Sequence, residues 1–231
     1  MRSPTIFALE IIRYAESEFP NVKIKDKKKS LFMKAIYYLS FMWIWNRRFL
    51  EGYVTTIGKT IYYPSSSNRS GYPSHALLLH ELAHVKQGKK LGILYPILYL
   101  FPQIFAIFAL LALFHPAFLI FLAALAPWPA PFRARFEFQA YKLGILGEIV
   151  YADFDKLYWN HRLENIFTGW GYYRMCWDWS PYHRELENFY ESMKGYRQEL
   201  RRLLDENYSP SREEWNRLFS KLFETALPAL F

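Results

Sequence analysis

The apolar positions of this chain fall into runs of different period, and each run predicts a different element. Near the C-terminus Leu186, Phe189, Met193, Tyr196, Leu200 and Leu203 recur every three or four positions, which predicts an amphipathic helix opened by Ser180-Pro181. A last helix follows, with Ser211 and Glu214 at capping-box spacing and Trp215, Leu218, Leu222 and Phe223 on its apolar face. At the other end Ser3-Pro4 opens a helix through Ile6, Leu9, Ile12 and Phe19, and Pro20 ends it. Ser30 to Trp45 is apolar but interrupted by Lys34, and reads equally as an interfacial helix or a core helix. Tyr53 to Tyr63, rich in Thr, Ile, Val and Tyr, reads as a strand that ends at Pro64 before a Ser-rich loop. Such a strand could pair with an extended segment laid along its edge, or be a plain hairpin strand.

One run has no period because it has no charge. From Leu91 to Phe132 there is no Asp, Glu, Lys or Arg, and only Gln103 and His115 are strongly polar. An uncharged stretch longer than about 18 residues reads as membrane-spanning. Pro96, Pro102, Pro127, Pro129 and Pro131 punctuate it, and its length suits two short helices with a bend near His115-Pro116. Together these runs predict a mainly α (α+β) fold with a short β-sheet. No repeat or linker divides the chain, so residues 1–231 read as one domain with 91–132 as an inserted hydrophobic hairpin.

Composition changes this picture only by placing it. Aromatics make up 20% of the 231 residues, and Tyr and Trp suit a water–lipid boundary. The net charge is +8, with Lys23, Lys25, Lys27, Lys28, Lys29, Lys86, Lys89, Lys90, Arg133 and Arg135 flanking apolar segments. That distribution points to an anionic lipid surface, with both hairpin ends facing the cytoplasm, rather than to nucleic acid, for which no signature is present. The single Cys176 excludes an intramolecular disulfide. No cleavable signal peptide is expected, because Glu10, Glu16 and Glu18 occupy the first helix.

The chemistry lies in His80-Glu81-Leu82-Ala83-His84. Residues one helical turn apart share a face, so His80 and His84 can reach one Zn2+ ion with Glu81 beside it as a general base. Ala76 to Gln87 reads as helix on both sides of the motif, as far as Gly88. Zinc needs a third protein ligand. Glu137 is a lone carboxylate in an aromatic and basic stretch; it is either that ligand or a surface partner of Arg133 or Arg135, in which case Glu185, Glu187 or His183 would serve.

His80-Glu81-Leu82-Ala83-His84 followed by Arg135-Phe136-Glu137-Phe138-Gln139-Ala140 resembles the integral-membrane zinc proteases of the HtpX type, which belong to the gluzincins. The resemblance covers roughly residues 75 to 144. It implies a zincin-like core, a peptide or protein substrate and Glu137 as the third zinc ligand. The family continues with Asp after the Ala, where this chain has Tyr141, so no role of that Asp carries over. If His84 and Glu137 hold one ion, the apolar stretch between them must enter and return rather than cross once. The related proteases take their oxyanion donor from a downstream His or Arg, for which His161, Tyr173, Arg174 and His183 are the candidates. Two other expectations stand beside the peptidase: a non-catalytic zinc-bound membrane or assembly module, and a soluble protein that buries residues 91–132 against partners.

Overall fold

The computed structural model of the chain describes residues 4–39, 48–64, 74–126, 128–149, 155–170 and 174–227. The end of the 30–45 apolar segment, the Ser-rich loop after Pro64 and the donor candidate Tyr173 lie outside these residues. The described fold is mainly helical, with a small three-stranded mixed sheet.

Helix α1 spans Pro4–Glu18 and buries Phe7, Ile11, Tyr14 and Ala15. Ile6 and Leu9, expected on the apolar face, are exposed. The face that turns inward is instead the one aimed at the C-terminal helix: Phe7 and Tyr14 meet Phe219 with ring centroids 6.0 and 5.0 Å apart. Strand β1, Lys23–Asp26, sits inside what reads as a basic flank. Helix α2, Leu31–Leu39, buries Met33 against Phe49 and Tyr62 and leaves Leu31 and Phe32 exposed. The short helix α3, Phe49–Gly52, leads into the segment expected as one strand. That segment folds back on itself as β2, Thr55–Ile57, and β3, Thr60–Tyr63, because Gly58 at φ 58° turns the chain. β3 is central, parallel to β1 and antiparallel to β2, so β2 is an edge strand.

Helix α4, His75–Leu91, begins where the Ser74 hydroxyl accepts from Leu77 N–H and runs through Gly88 to a turn at Gly92. The expected stop at Gly88 is therefore three residues early, since a helix with packed neighbours tolerates an interior Gly. Helix α5, Leu94–Tyr99, follows at once. Two 3-10 segments, Gln103–Leu113 and Pro116–Leu125, then pack on each other about a bend at His115. The hairpin and its bend match the sequence expectation, but the arms are 3-10 rather than α. At about 2 Å per residue each arm reaches roughly 20 Å, short of the roughly 30 Å of a hydrocarbon core. No helix among the described residues is long and apolar enough to cross a membrane. Neither 3-10 segment has a buried residue, and Leu113 and Phe114 at the tip are 89% and 84% exposed.

Helix α6, Pro131–Ile149, returns into the core beside α4, and α7, Lys156–Thr168, is capped by Asp155. Helices α8, Ser180–Leu203, and α9, Arg212–Ala226, bury the faces read from the sequence, and the Ser211–Glu214 capping box forms. Together these elements enclose one large apolar cluster around α1, α4, α6, α8 and α9.

Lys27 corrects the reading of the basic flank. Its side chain is 0% exposed and does not face a lipid surface. Its ammonium donates to Tyr53 O at 2.8 Å and Thr55 Oγ1 at 2.7 Å, and lies 3.6 Å from the centre of the Phe49 ring. Burial lowers its pKa from 10.5 to about 8, against the opposing pull of the Glu81 charge. The folded pKa thus lies below the unfolded one, so folding carries a cost at pH 8 that disappears as pH rises toward 10.5. Urea unfolding of wild type and Lys27→Met from pH 8 to 10 should show the wild type gaining relative stability with pH, by up to about 1.4 kcal/mol per unit.

Candidate metal centre

The site is made by the close approach of α4 and α6. A Cβ placed on Gly147 would lie 3.0 Å from Ala76 Cα and 3.1 Å from Leu79 Cδ1, and one on Gly144 would lie 3.3 Å from Ala76 O. Glycine at these two positions lets the helix backbones touch, and it brings Glu137, two to three turns earlier on α6, level with the face of α4 that bears the histidines. His80 Nε2 is 3.3 Å from Glu137 Oε2, His84 Nε2 is 3.5 Å from Glu137 Oε1, and the two Nε2 atoms are 3.2 Å apart.

Those separations test the metal reading directly. A tetrahedral zinc with bonds of about 2.0–2.1 Å holds its ligand atoms roughly 3.3 Å apart; taken one per residue, the donor atoms of His80, His84 and Glu137 lie within 4.8 Å of one another, close enough to reach a single ion. The three residues form the one His/Cys/Asp/Glu group among the described residues that could hold a metal ion. Imidazole and carboxylate donors suit zinc.

The ligands are held from behind. His84 Nδ1 lies 2.9 Å from Gln87 Oε1, and Gln87 Nε2 donates to Phe136 O at 3.0 Å and to Gln139 Oε1 at 3.1 Å. With Nδ1–H donating to Gln87, it is Nε2 that faces Glu137, and loss of the proton it carries there would free the lone pair a metal ligand needs. The Tyr95 hydroxyl is also 3.0 Å from His84 Nδ1, and the Tyr99 hydroxyl donates to Glu137 Oε1. Tyr141, where the related family has Asp, sets its ring against His80 with centroids 4.6 Å apart. Glu81 is 5% exposed and accepts from Thr56 Oγ1 at 2.6 Å.

Burial alone would raise Glu137 and lower His84. The pairing outweighs it in both cases, holding Glu137 well below the usual carboxylate range and raising His84 to about 9.

The alternatives for the third ligand are occupied elsewhere. Glu185 receives Arg135 and, at 2.8 Å, the buried Lys142; Glu187 receives Lys156 and, at 3.2 Å, Asn160; His183 lies 3.1 Å from Asn160 Nδ2. Arg133 turns away from Glu137 to donate to Tyr99 O and Gln103 Oε1. The three oxyanion-donor candidates among the described residues do not line the cleft either. His161 is exposed beside Asn165, Arg174 stacks over Trp170 with 5.6 Å to the ring centre, and neither they nor His183 line the cleft.

That cleft is about 1260 Å³, larger than the roughly 300–1000 Å³ typical of small-molecule pockets. His80, Glu81, His84 and Glu137 all open into it, between strand β2 and the roots of the hairpin at Tyr95 and Tyr99, with Arg162 of α7 also on its wall. Thr56, Gln87, Tyr95, Tyr99 and Arg162 were not singled out by sequence, where nothing distinguishes them from ordinary strand, helix or apolar-segment residues. Compared with known proteins, the chain matches no family model, no curated protein sequence and no solved structure.

Because His84 carries a proton below about pH 9 when the site holds no ion, zinc must displace it. Zinc affinity, measured by competition with a chromophoric chelator, should rise with pH between 6 and 8 by about tenfold per unit for one displaced proton.

Proposed function

We propose that the chain is a zinc-dependent metalloendopeptidase acting on extended peptide or protein segments. The observation that carries this reading is Glu81, a buried carboxylate that opens into the same cleft as three metal donors. A structural zinc site is closed by four protein ligands and has no use for a neighbouring base. Among the described residues the donor group has three members, and it opens into a cleft of about 1260 Å³.

Zinc bound by His80, His84 and Glu137 would polarise a peptide carbonyl and lower the pKa of a water toward neutrality. Glu81 removes the proton of the attacking water and returns it to the departing amine. Gln87 and Tyr95 hold His84 in register, and Tyr99 steadies Glu137. Among the described residues β2 is an edge strand, and its residues form part of one wall of the cleft, so a substrate strand can add to the sheet with its scissile bond over the site.

The hairpin supports a second part of the proposal, that the protein works at the cytoplasmic face of a bilayer. Its apolar side chains point outward, and Lys89, Lys90 and Arg133 stand at its base. We read residues 91–132 as an insertion that dips into lipid from a single catalytic domain.

Glu81→Gln should retain stoichiometric zinc and lose hydrolysis of an unfolded polypeptide by at least about 10³-fold, whereas Glu137→Ala should lose the metal. Zinc without hydrolysis in the wild type would favour the non-catalytic module. Co-sedimentation with vesicles containing anionic lipid should disappear when Leu113 and Phe114 are both replaced by Asp; unchanged sedimentation would remove the bilayer from the proposal.

A further inference from the structure

Strand β2 carries two hydroxyls on successive residues, which a strand directs to opposite faces. Thr55 Oγ1 receives the buried Lys27 ammonium, and Thr56 Oγ1 donates to Glu81 Oε2 at 2.6 Å, a short, charge-assisted bond. We propose that Thr56 is the positioning residue for Glu81, so that the strand bordering the cleft also sets the orientation of the general base. The proposal rests on the peptidase reading.

Three features make this contact more than a chance pairing. Thr56 is fixed at its backbone by antiparallel pairing, with Ile61 opposite, and as a β-branched residue it has few rotamers to lose. Lys27 ties Tyr53 O and Thr55 Oγ1 just upstream, so the strand cannot slide along α4 without breaking a buried, charged hydrogen-bonding centre. The strand's packing does not require the hydroxyl, because Val has the same branched shape and higher strand preference. What the hydroxyl adds is a donor that holds one carboxylate oxygen, which restricts Glu81 to the rotamer facing the cleft. A substrate that pairs with the β2 edge is then registered against the strand that positions the base.

The test compares zinc-loaded wild type, Thr56→Val and Thr56→Ser with an unfolded polypeptide substrate. All three should bind zinc equally. Thr56→Val should lose about 10- to 100-fold in kcat with KM little changed, and Thr56→Ser should recover most of it. Wild-type kcat in Thr56→Val, a loss confined to KM, or a Ser variant as impaired as Val would each overturn the assignment.

A second readout needs neither metal nor activity. In metal-free protein the urea midpoints of Thr56→Val, Glu81→Ala and the double variant should be non-additive, the double losing less than the sum of the singles. Additive midpoints would mean that the bond is not made and would overturn the proposal. If the wild type binds zinc and cleaves nothing, the peptidase reading fails while this cycle still decides whether Thr56 holds Glu81.

Discussion

Helices α4 and α6 can approach each other only because Gly144 and Gly147 leave room for Ala76 and Leu79, and the candidate metal centre depends on that approach. The third ligand sits far along the chain from the first two, beyond the whole hairpin, so no local geometry can bring it into place. Helix packing must do so, and a single methyl group at Gly147 would push backbone against backbone. The geometry of the candidate metal site and the packing of the core are therefore one constraint. Ala83, Leu143 and Leu146 are buried in the same interface that aligns His80, His84 and Glu137.

Such an interface has to accommodate polar groups that burial penalises. Glu81, His84, Gln87, Glu137, Gln139 and Lys142 are all buried. Their partners come from several elements: Thr56 from the sheet, Tyr95 and Tyr99 from the hairpin root, Glu185 from α8, and Phe136 O from α6. A buried charge without such partners would shift its protonation or unfold its surroundings. The network also fixes roles, since Gln87 selects the His84 tautomer while Arg135 and Lys142 are drawn to Glu185, away from the ligand carboxylate.

The two tyrosines join the site to the apolar hairpin. Tyr95 and Tyr99 lie one turn apart on α5, and their hydroxyls reach His84 and Glu137, while the chain beyond them leaves the core with its Leu, Ile and Phe side chains outward. The outward-facing hairpin is thus rooted beside the hydrogen-bonded cluster of His84, Gln87 and Glu137. The same tyrosines line the cleft into which His80, Glu81, His84 and Glu137 open.

Sequence by itself determined the parts whose signal is local. The four-residue spacing of His80 and His84, the faces of α8 and α9, the Ser211–Glu214 cap and the bend at His115 all follow from periodicity, capping and the properties of Pro, which act within a turn or two of helix. Glu137 was legible only through its resemblance to a longer motif, because a lone carboxylate beside two arginines has several possible partners. Tertiary structure alone decided which stripe of α1 faces inward, that Lys27 is buried, that residues 53–63 fold into a hairpin with a parallel third strand, and that Thr56, Tyr95 and Tyr99 reach the site. Each of these depends on contacts between residues distant in the chain, and pairing of that kind leaves no period or composition in the sequence around either partner.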